Sequence, residues 1–231
     1  RHCPQFRRMR MIVDERYVTY LHSLERRNSE FLEKLELEAI QTRVPIIRKE
    51  TQSLLRFLIQ LSCPAKILEV GTAIGFSALF MEEVNPVDCQ ITTIENYEKR
   101  IPIARRNFEL ANKNDRITLM EGDAQRILPT LEGSFDFIFM DAAKGQYMNF
   151  LPQVMALLKN GGILVSDNVM QDGDIIESRY VIPRRNRTIH KRMRAYLHEI
   201  THRDDLITTI LLQGDGVAIS TKCEPLKGVK G

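Results

Sequence analysis

The chain has 231 residues, 43% of them hydrophobic and 27% charged, a balance that fits one soluble globular domain and argues against a disordered or fibrous polypeptide. No apolar run approaches the ~18 residues of a membrane span and no secretory signal pattern opens the sequence, so the cytoplasm is the expected compartment. The net charge of +3 is unevenly spread: residues 1–11 bring four positive charges and residues 179–194 seven more, neither with an acid, leaving 22 of the 33 basic residues against 30 acids. One basic patch on an otherwise acidic body is the expectation.

Four cysteines, Cys3, Cys63, Cys89 and Cys223, are too scattered for a zinc or redox motif and read as free thiols. Residues 1–11 are set aside as a leader or non-native extension. Residues 12–223 read as a single domain, and 224–231 as a flexible tail.

From Asp14 to about Arg43 apolar residues recur every three or four positions (Val18, Leu21, Leu24, Phe31, Leu32, Leu35, Ala39), which predicts an amphipathic helix broken by Pro45. A second helix over 49–61 offers Leu54, Leu55, Leu58 and Leu61 to a core and stops before Pro64. Strands then alternate with helices: strands at 66–71, 90–95, 116–121, 135–141 and 161–167, helices near 75–84, 97–112, 123–131 and 146–159. Such repetition builds a parallel sheet with helices on both faces. A helix over 186–200 would place Arg187, Lys191 and Arg194 on one face and turn Ile189, Met193, Tyr196, Leu197 and Ile200 inward. The last apolar runs, 206–212 and 217–220, are joined only by Gln213-Gly214-Asp215-Gly216, too short for a crossover, so they pair as an antiparallel hairpin.

Ligands of an open α/β sheet bind at the carboxyl ends of its strands. The first strand runs into Gly71-x-x-x-Gly75, where glycine allows a sharp turn and a close backbone approach to a ligand carboxylate. The spacing is not the G-x-G-x-x-G of dinucleotide enzymes. The next strand ends in Glu95, able to accept both hydroxyls of a ribose, and the third in Gly122-Asp123-Ala124, near where an adenine would lie. Each also has an ordinary reading: Glu95 as a solvated acid, Asp123 as a helix N-cap, Phe76 as core.

Asp141 and the pair Asp167-Asn168 end two successive strands, and two carboxylates with an amide oxygen make a hard ligand set that suits Mg²⁺ better than Zn²⁺. A hydroxyl on such an ion gives up its proton readily, and Lys144 is placed to take it as a general base. Alternatively Asp141 caps a helix, Asp167-Asn168 makes a turn and Lys144 is a surface lysine.

Leu68-Glu69-Val70-Gly71-Thr72-Ala73-Ile74-Gly75-Phe76-Ser77, Ile94-Glu95, Gly122-Asp123-Ala124, Asp141 to Tyr147 and Asp167-Asn168-Val169 together resemble the metal-dependent catechol and caffeoyl-CoA type O-methyltransferases. The resemblance implies a Rossmann-like class I methyltransferase fold: a mostly parallel seven-stranded sheet closed by an antiparallel hairpin, helices on both faces and an N-terminal helical extension. It implies S-adenosylmethionine at Ile47, Glu69, Gly71, Phe76, Ser77, Glu95, Gly122, Asp123, Ala124 and Asp141, with Val44-Pro45-Ile46-Ile47 as a lid. It further implies Mg²⁺ or another divalent cation on Asp141, Asp167 and Asn168, catalysis by Lys144 and Asp141, and a homodimer.

Within the family the chain looks most like bacterial tRNA 5-hydroxyuridine methyltransferases, which make wobble 5-methoxyuridine. The basic insert adds to that expectation, since Arg184, Arg185, Arg187, Lys191, Arg192 and Arg194 would attract the phosphates of an anticodon stem-loop. Other readings stay open: a solvated helix face, a site for a CoA-like anion, a small-molecule (catechol or caffeoyl-CoA-like) methyltransferase without need of the insert, or a non-catalytic RNA-binding protein.

Overall fold

In the computed structural model, which describes residues 14–225, the chain opens on two helices, α1 (Glu15–Leu24) and α2 (Glu30–Thr42), where one had been expected over 14–43. The break has a local cause. Ser29 caps α2 by accepting from the Leu32 amide at 3.3 Å and donates its hydroxyl proton to Glu83, while Asn28 is held by Gln52 and Arg56 of the following helix. The leader expected at 1–11 and most of the tail expected at 224–231 lie outside the described residues, as does Cys3; Cys63, Cys89 and Cys223 are free thiols.

After α3 (Lys49–Ser62) come β1 (Lys66–Val70), α4 (Phe76–Val84), β2 (Gln90–Glu95), α5 (Ile101–Leu110), β3 (Ile117–Glu121), α6 (Ala124–Ile127), β4 (Phe135–Met140), α7 (Tyr147–Leu157), β5 (Leu158–Ser166), α8 (Arg187–His202), β6 (Leu206–Leu211) and β7 (Val217–Lys222). The strands form one sheet in the order β3-β2-β1-β4-β5-β7-β6. The first five run parallel, and β7 lies antiparallel to both β5 and β6. This is the Rossmann-like sheet with a closing hairpin that the alternation and the short 213–216 link imply. Its winding reverses between β1 and β4, which leaves a crevice at their carboxyl ends.

Alternation along the strands sends side chains into two cores. In β4, Phe137 and Phe139 join Ile67, Phe76, Phe80, Leu55 and Ile59 on the face covered by α2, α3 and α4. Ile138 and Met140 join Leu68, Leu151, Val154, Met193 and Tyr196 on the face covered by α7 and α8. Burying both faces explains why the central strands read as nearly continuous apolar runs.

Some boundaries differ from expectation. The helix predicted at 123–131 is only the four-residue α6 followed by a 3₁₀ turn at Leu128–Thr130, because Pro129 cannot continue the α-helical ladder. The strand predicted at 161–167 begins at Leu158 and slips register against β4 between Phe135 and Phe137. In α8, Met193, Tyr196 and Ile200 face inward as the pattern requires, but Ile189 is 37% exposed and His190 is buried instead. By spacing Ile189 lies on the same stripe as Met193 and Tyr196, but it sits in the first turn of α8 beside Gly145 and borders an open space there instead of core. Among the described residues no helix is long and apolar enough to cross a membrane.

Candidate active site

A cavity of about 810 Å³ lies at the carboxyl ends of β1, β2, β3, β4 and β5. It is walled by Pro45 to Arg48, the loops after β1 and β2, and the residues following β4 and β5. Its size falls in the range of sites that enclose a cofactor or substrate.

At one end the loop after β1 is pressed against the loop after β4. Gly71 has φ +107°, and a Cβ there would overlap the Asp141 carbonyl, so the close approach is available only to glycine. Glu95 is 7% exposed and accepts from the amides of Ala73 (2.7 Å), Asn96 (3.0 Å) and Tyr97 (2.8 Å), which fixes both loops around it. It is therefore no solvated strand-end acid, although it still lines the cavity. Asp123 does cap α6, accepting from Gln125 at 2.9 Å, and lines the cavity as well, together with Gly122 and Ala124. Ile47, Phe76 and Ser77 complete this end, Phe76 serving the core and the cavity wall at once.

Glu69 is placed differently. It is wholly buried, does not line the cavity, and accepts from Thr93 at 2.5 Å, while Thr93 in turn pairs with Thr72. Its Oε1 has no hydrogen-bond partner. Burial drives this carboxyl up to about 7, the charges of Asp141 and Glu95 adding to the effect and the Ser77 and Thr93 hydroxyls opposing it.

At the other end stand Asp141, Lys144, Asp167 and Asn168. Tyr147 joins the two acid-bearing strand ends: its buried hydroxyl lies 3.0 Å from the carbonyls of both Met140 and Asp167. The Asn168 backbone amide donates to Asp167 at 2.8 Å and its side chain donates to Asp141 at 3.2 Å. Burial raises both carboxyls, and for Asp167 the neighbouring charge of Asp141 raises it further. Two buried acids that disfavour each other's charge in this way fit a divalent cation between them. Among the described residues no group of three His, Cys, Asp or Glu side chains could hold a metal, so such an ion would depend on Asn168 as third ligand. Its amide would have to turn over to present oxygen, a change of orientation that costs only the bond to Asp141.

Lys144 opens a 3₁₀ turn (Lys144–Gln146), and its ammonium donates to Asp215 at 3.2 Å. Sequence reasoning missed Asp215, which arrives from the hairpin at the far end of the chain. It also missed Tyr97 and Arg100, which line the cavity with the Arg100 guanidinium 5.4 Å from the Tyr97 ring centroid. The Asn96-Tyr97 pair directly after Glu95 was the available signal. Ala73, Asn168 and Gln171 all hold positive φ around this crevice, a conformation that costs energy outside glycine and concentrates at functional sites.

None of the six predicted RNA-binding residues lines this cavity. Arg192 borders an adjoining space of about 500 Å³ that shares Ala143, Lys144 and Gln146 with it, and Arg192 donates to the Gly145 carbonyl at 3.1 Å. Arg187 and Arg194 donate to the carbonyls of Ile182 (3.0 Å) and Ile175 (3.1 Å), so they shape the 170–186 segment. Arg184, Arg185 and Lys191 are exposed.

A family model described as O-methyltransferase matches residues 22–223. The chain belongs to the O-methyltransferase family. It is 32% identical over 133 residues to a catechol O-methyltransferase of Niastella koreensis, covering 56% of this chain and 60% of that enzyme. The chain spans about half to three fifths of the length of such curated relatives. A solved structure of a putative caffeoyl-CoA O-methyltransferase from Staphylococcus aureus superposes with TM-score 0.81 at 32% identity, covering 90% of this chain and 98% of the other. The SAH-bound methyltransferase PaMTH1 of Podospora anserina also reaches 0.81, at 26% identity, with 91% and 95% covered.

Proposed function

We propose that the protein is an S-adenosylmethionine-dependent O-methyltransferase whose acceptor hydroxyl is bound beside Lys144, and that the acceptor is 5-hydroxyuridine at the tRNA wobble position. The observation that carries the enzyme class is the convergence in one cavity of Glu95, Gly71 and Ser77 at one end with Asp141, Lys144, Asp167 and Asn168 at the other. Family membership and the product-bound relative support the same cofactor. Glu69, wholly buried and outside the cavity lining, would act from behind, bracing through Thr93 the Thr72 hydroxyl of the glycine loop.

In this reading Glu95 and the glycine loop orient the cofactor, and Pro45 to Arg48 keep water from its methyl group. In this proposal an electron pair of the acceptor oxygen would form the new C–O bond as the S–C bond breaks with its pair left on sulfur, and the hydroxyl proton would pass to the neutral amine of Lys144, formed once its ammonium has released a proton to solvent. The sulfonium thereby becomes a neutral thioether. When bound by Asp141, Asp167 and Asn168, a divalent cation would polarise that hydroxyl and favour its ionisation.

The RNA acceptor is supported by the exposed Arg184, Arg185 and Lys191 in the segment whose Asn186, Ile189 and Arg192 border the adjoining space, and by the uneven charge that places seven basic residues and no acid in 179–194. The second reading, a small phenolic acceptor, draws on the names of the catechol and caffeoyl-CoA relatives. Self-association as a homodimer belongs to the same proposal; sedimentation at several concentrations would test it. The deciding assay gives the protein labelled S-adenosylmethionine and Mg²⁺ with tRNA carrying 5-hydroxyuridine, beside catechols and an EDTA control. EDTA-sensitive label in the tRNA supports the first reading, and label in catechols alone the second.

A further inference from the structure

The Lys144 ammonium is one-third exposed at the end of a flexible four-carbon stem, yet the carboxylate it meets, Asp215, is only 4% exposed and lies 71 residues away in sequence. A lysine in such a place ordinarily samples several rotamers, and each one misplaces the nitrogen. The loop that carries Asp215 is held firmly. The Val169 amide donates to the Gly216 carbonyl and the Met170 amide to the Asp215 carbonyl, both at 2.9 Å, which bolts the hairpin tip to the residues just after Asn168. Gly216 stands at φ +77° with Met170 packed where a Cβ would be, so the tip fits this one docking. On its other side Gln213 donates to the Glu50 carbonyl at the start of α3, next to the wall formed by Pro45 to Arg48.

We infer that Asp215 is a positioning residue that aims Lys144 at the acceptor hydroxyl, using a hairpin tip fixed to the Asp167-Asn168 loop as its base. The inference rests on the reading of Lys144 as proton acceptor. It also gives the ammonium formed by that transfer a carboxylate already within 3.2 Å. A purely structural Asp215 would instead stabilise the hairpin whatever stands at 144.

The test compares Asp215→Asn and Asp215→Glu with the parent, alone and with Lys144→Ala, for methyl transfer and for S-adenosylmethionine affinity. Expected is a loss of about 10- to 100-fold in kcat for Asp215→Asn, the scale of a misaimed catalytic group. The acceptor KM and the cofactor Kd should stay within about twofold, part of the loss should return with Glu, and Asp215→Asn should add nothing once Lys144→Ala is present. A second readout needs no turnover: after reductive ¹³C-methylation of the lysines, the Lys144 signal, assigned by its absence from Lys144→Arg, should shift and sharpen in Asp215→Asn. Equal losses from Asp215→Asn with and without Lys144, or an unmoved Lys144 signal, would overturn the inference. Full activity in Lys144→Ala would instead remove the base assignment, leaving the NMR signal to decide whether Asp215 holds the lysine.

Discussion

Glu69 is a carboxylate sealed into the sheet, and its neighbours Asp141 and Glu95 are acids too. Its folded-state carboxyl lies near 7, above the ~4.3 of an unfolded glutamate, so the folded protein binds the extra proton. Stability from this group is present below about pH 4.3 and is lost as pH rises toward 7. Denaturant titrations of the ligand-free protein should show that decline, by up to about 4 kcal/mol, and Glu69→Gln should flatten it. Lys144→Ala is expected to lower methyl transfer by about 10² to 10⁴-fold while cofactor binding, followed by calorimetry, stays close to the parent. Glu95, Asp141 and Lys144 were legible because each sits at or beside a strand end, where chain position dictates location, whereas Glu69 entered only with the family resemblance and lies outside the cavity. The sequence did not expose Asp215, because the contact joins residues 144 and 215 across a hairpin docking that no local pattern encodes.

Elements show the same division between local and distant causes. The parallel strands and the closing hairpin were legible because buried strands are apolar runs and a four-residue link admits only an antiparallel return. The break between α1 and α2 was not, since it depends on Asn28 and Ser29 reaching α3 and α4, while the apolar spacing alone is compatible with one long helix. The β4 and β5 ends are joined by Tyr147, whose hydroxyl meets both the Met140 and Asp167 carbonyls. Tyr147→Phe should destabilise the fold by about 1–3 kcal/mol, read from the shift in denaturation midpoint, and loosen the Asp141–Asp167 pair enough to slow transfer. On α8 and the segment before it, basic residues have two fates. Arg187, Arg192 and Arg194 are spent at least partly on backbone carbonyls, so changing them would mix folding with binding. Arg184 and Arg185 are the cleaner test: changing both to Ala should weaken tRNA binding several-fold at low salt and reduce its salt dependence, while catechol turnover and the melting temperature stay unchanged.

At the scale of the whole molecule, one sheet edge gathers groups that are distant in sequence: the wall at 45–48, the loops after β1, β2 and β3, and the acid-amide-lysine set after β4 and β5. The basic segment 179–194 stands beside that edge, on an otherwise acidic chain. Family and fold follow from this arrangement, whereas the acceptor depends on what the rim recruits. We propose metal-assisted transfer of a methyl group to the wobble 5-hydroxyuridine of tRNA. Its most direct test is incubation with labelled S-adenosylmethionine and Mg²⁺, offering 5-hydroxyuridine tRNA and a catechol panel in parallel, with and without EDTA. Expected is EDTA-sensitive label in 5-methoxyuridine of the tRNA and loss of that label in Asp167→Ala. Label confined to catechols, or tRNA labelling indifferent to both EDTA and Asp167→Ala, would contradict the proposal.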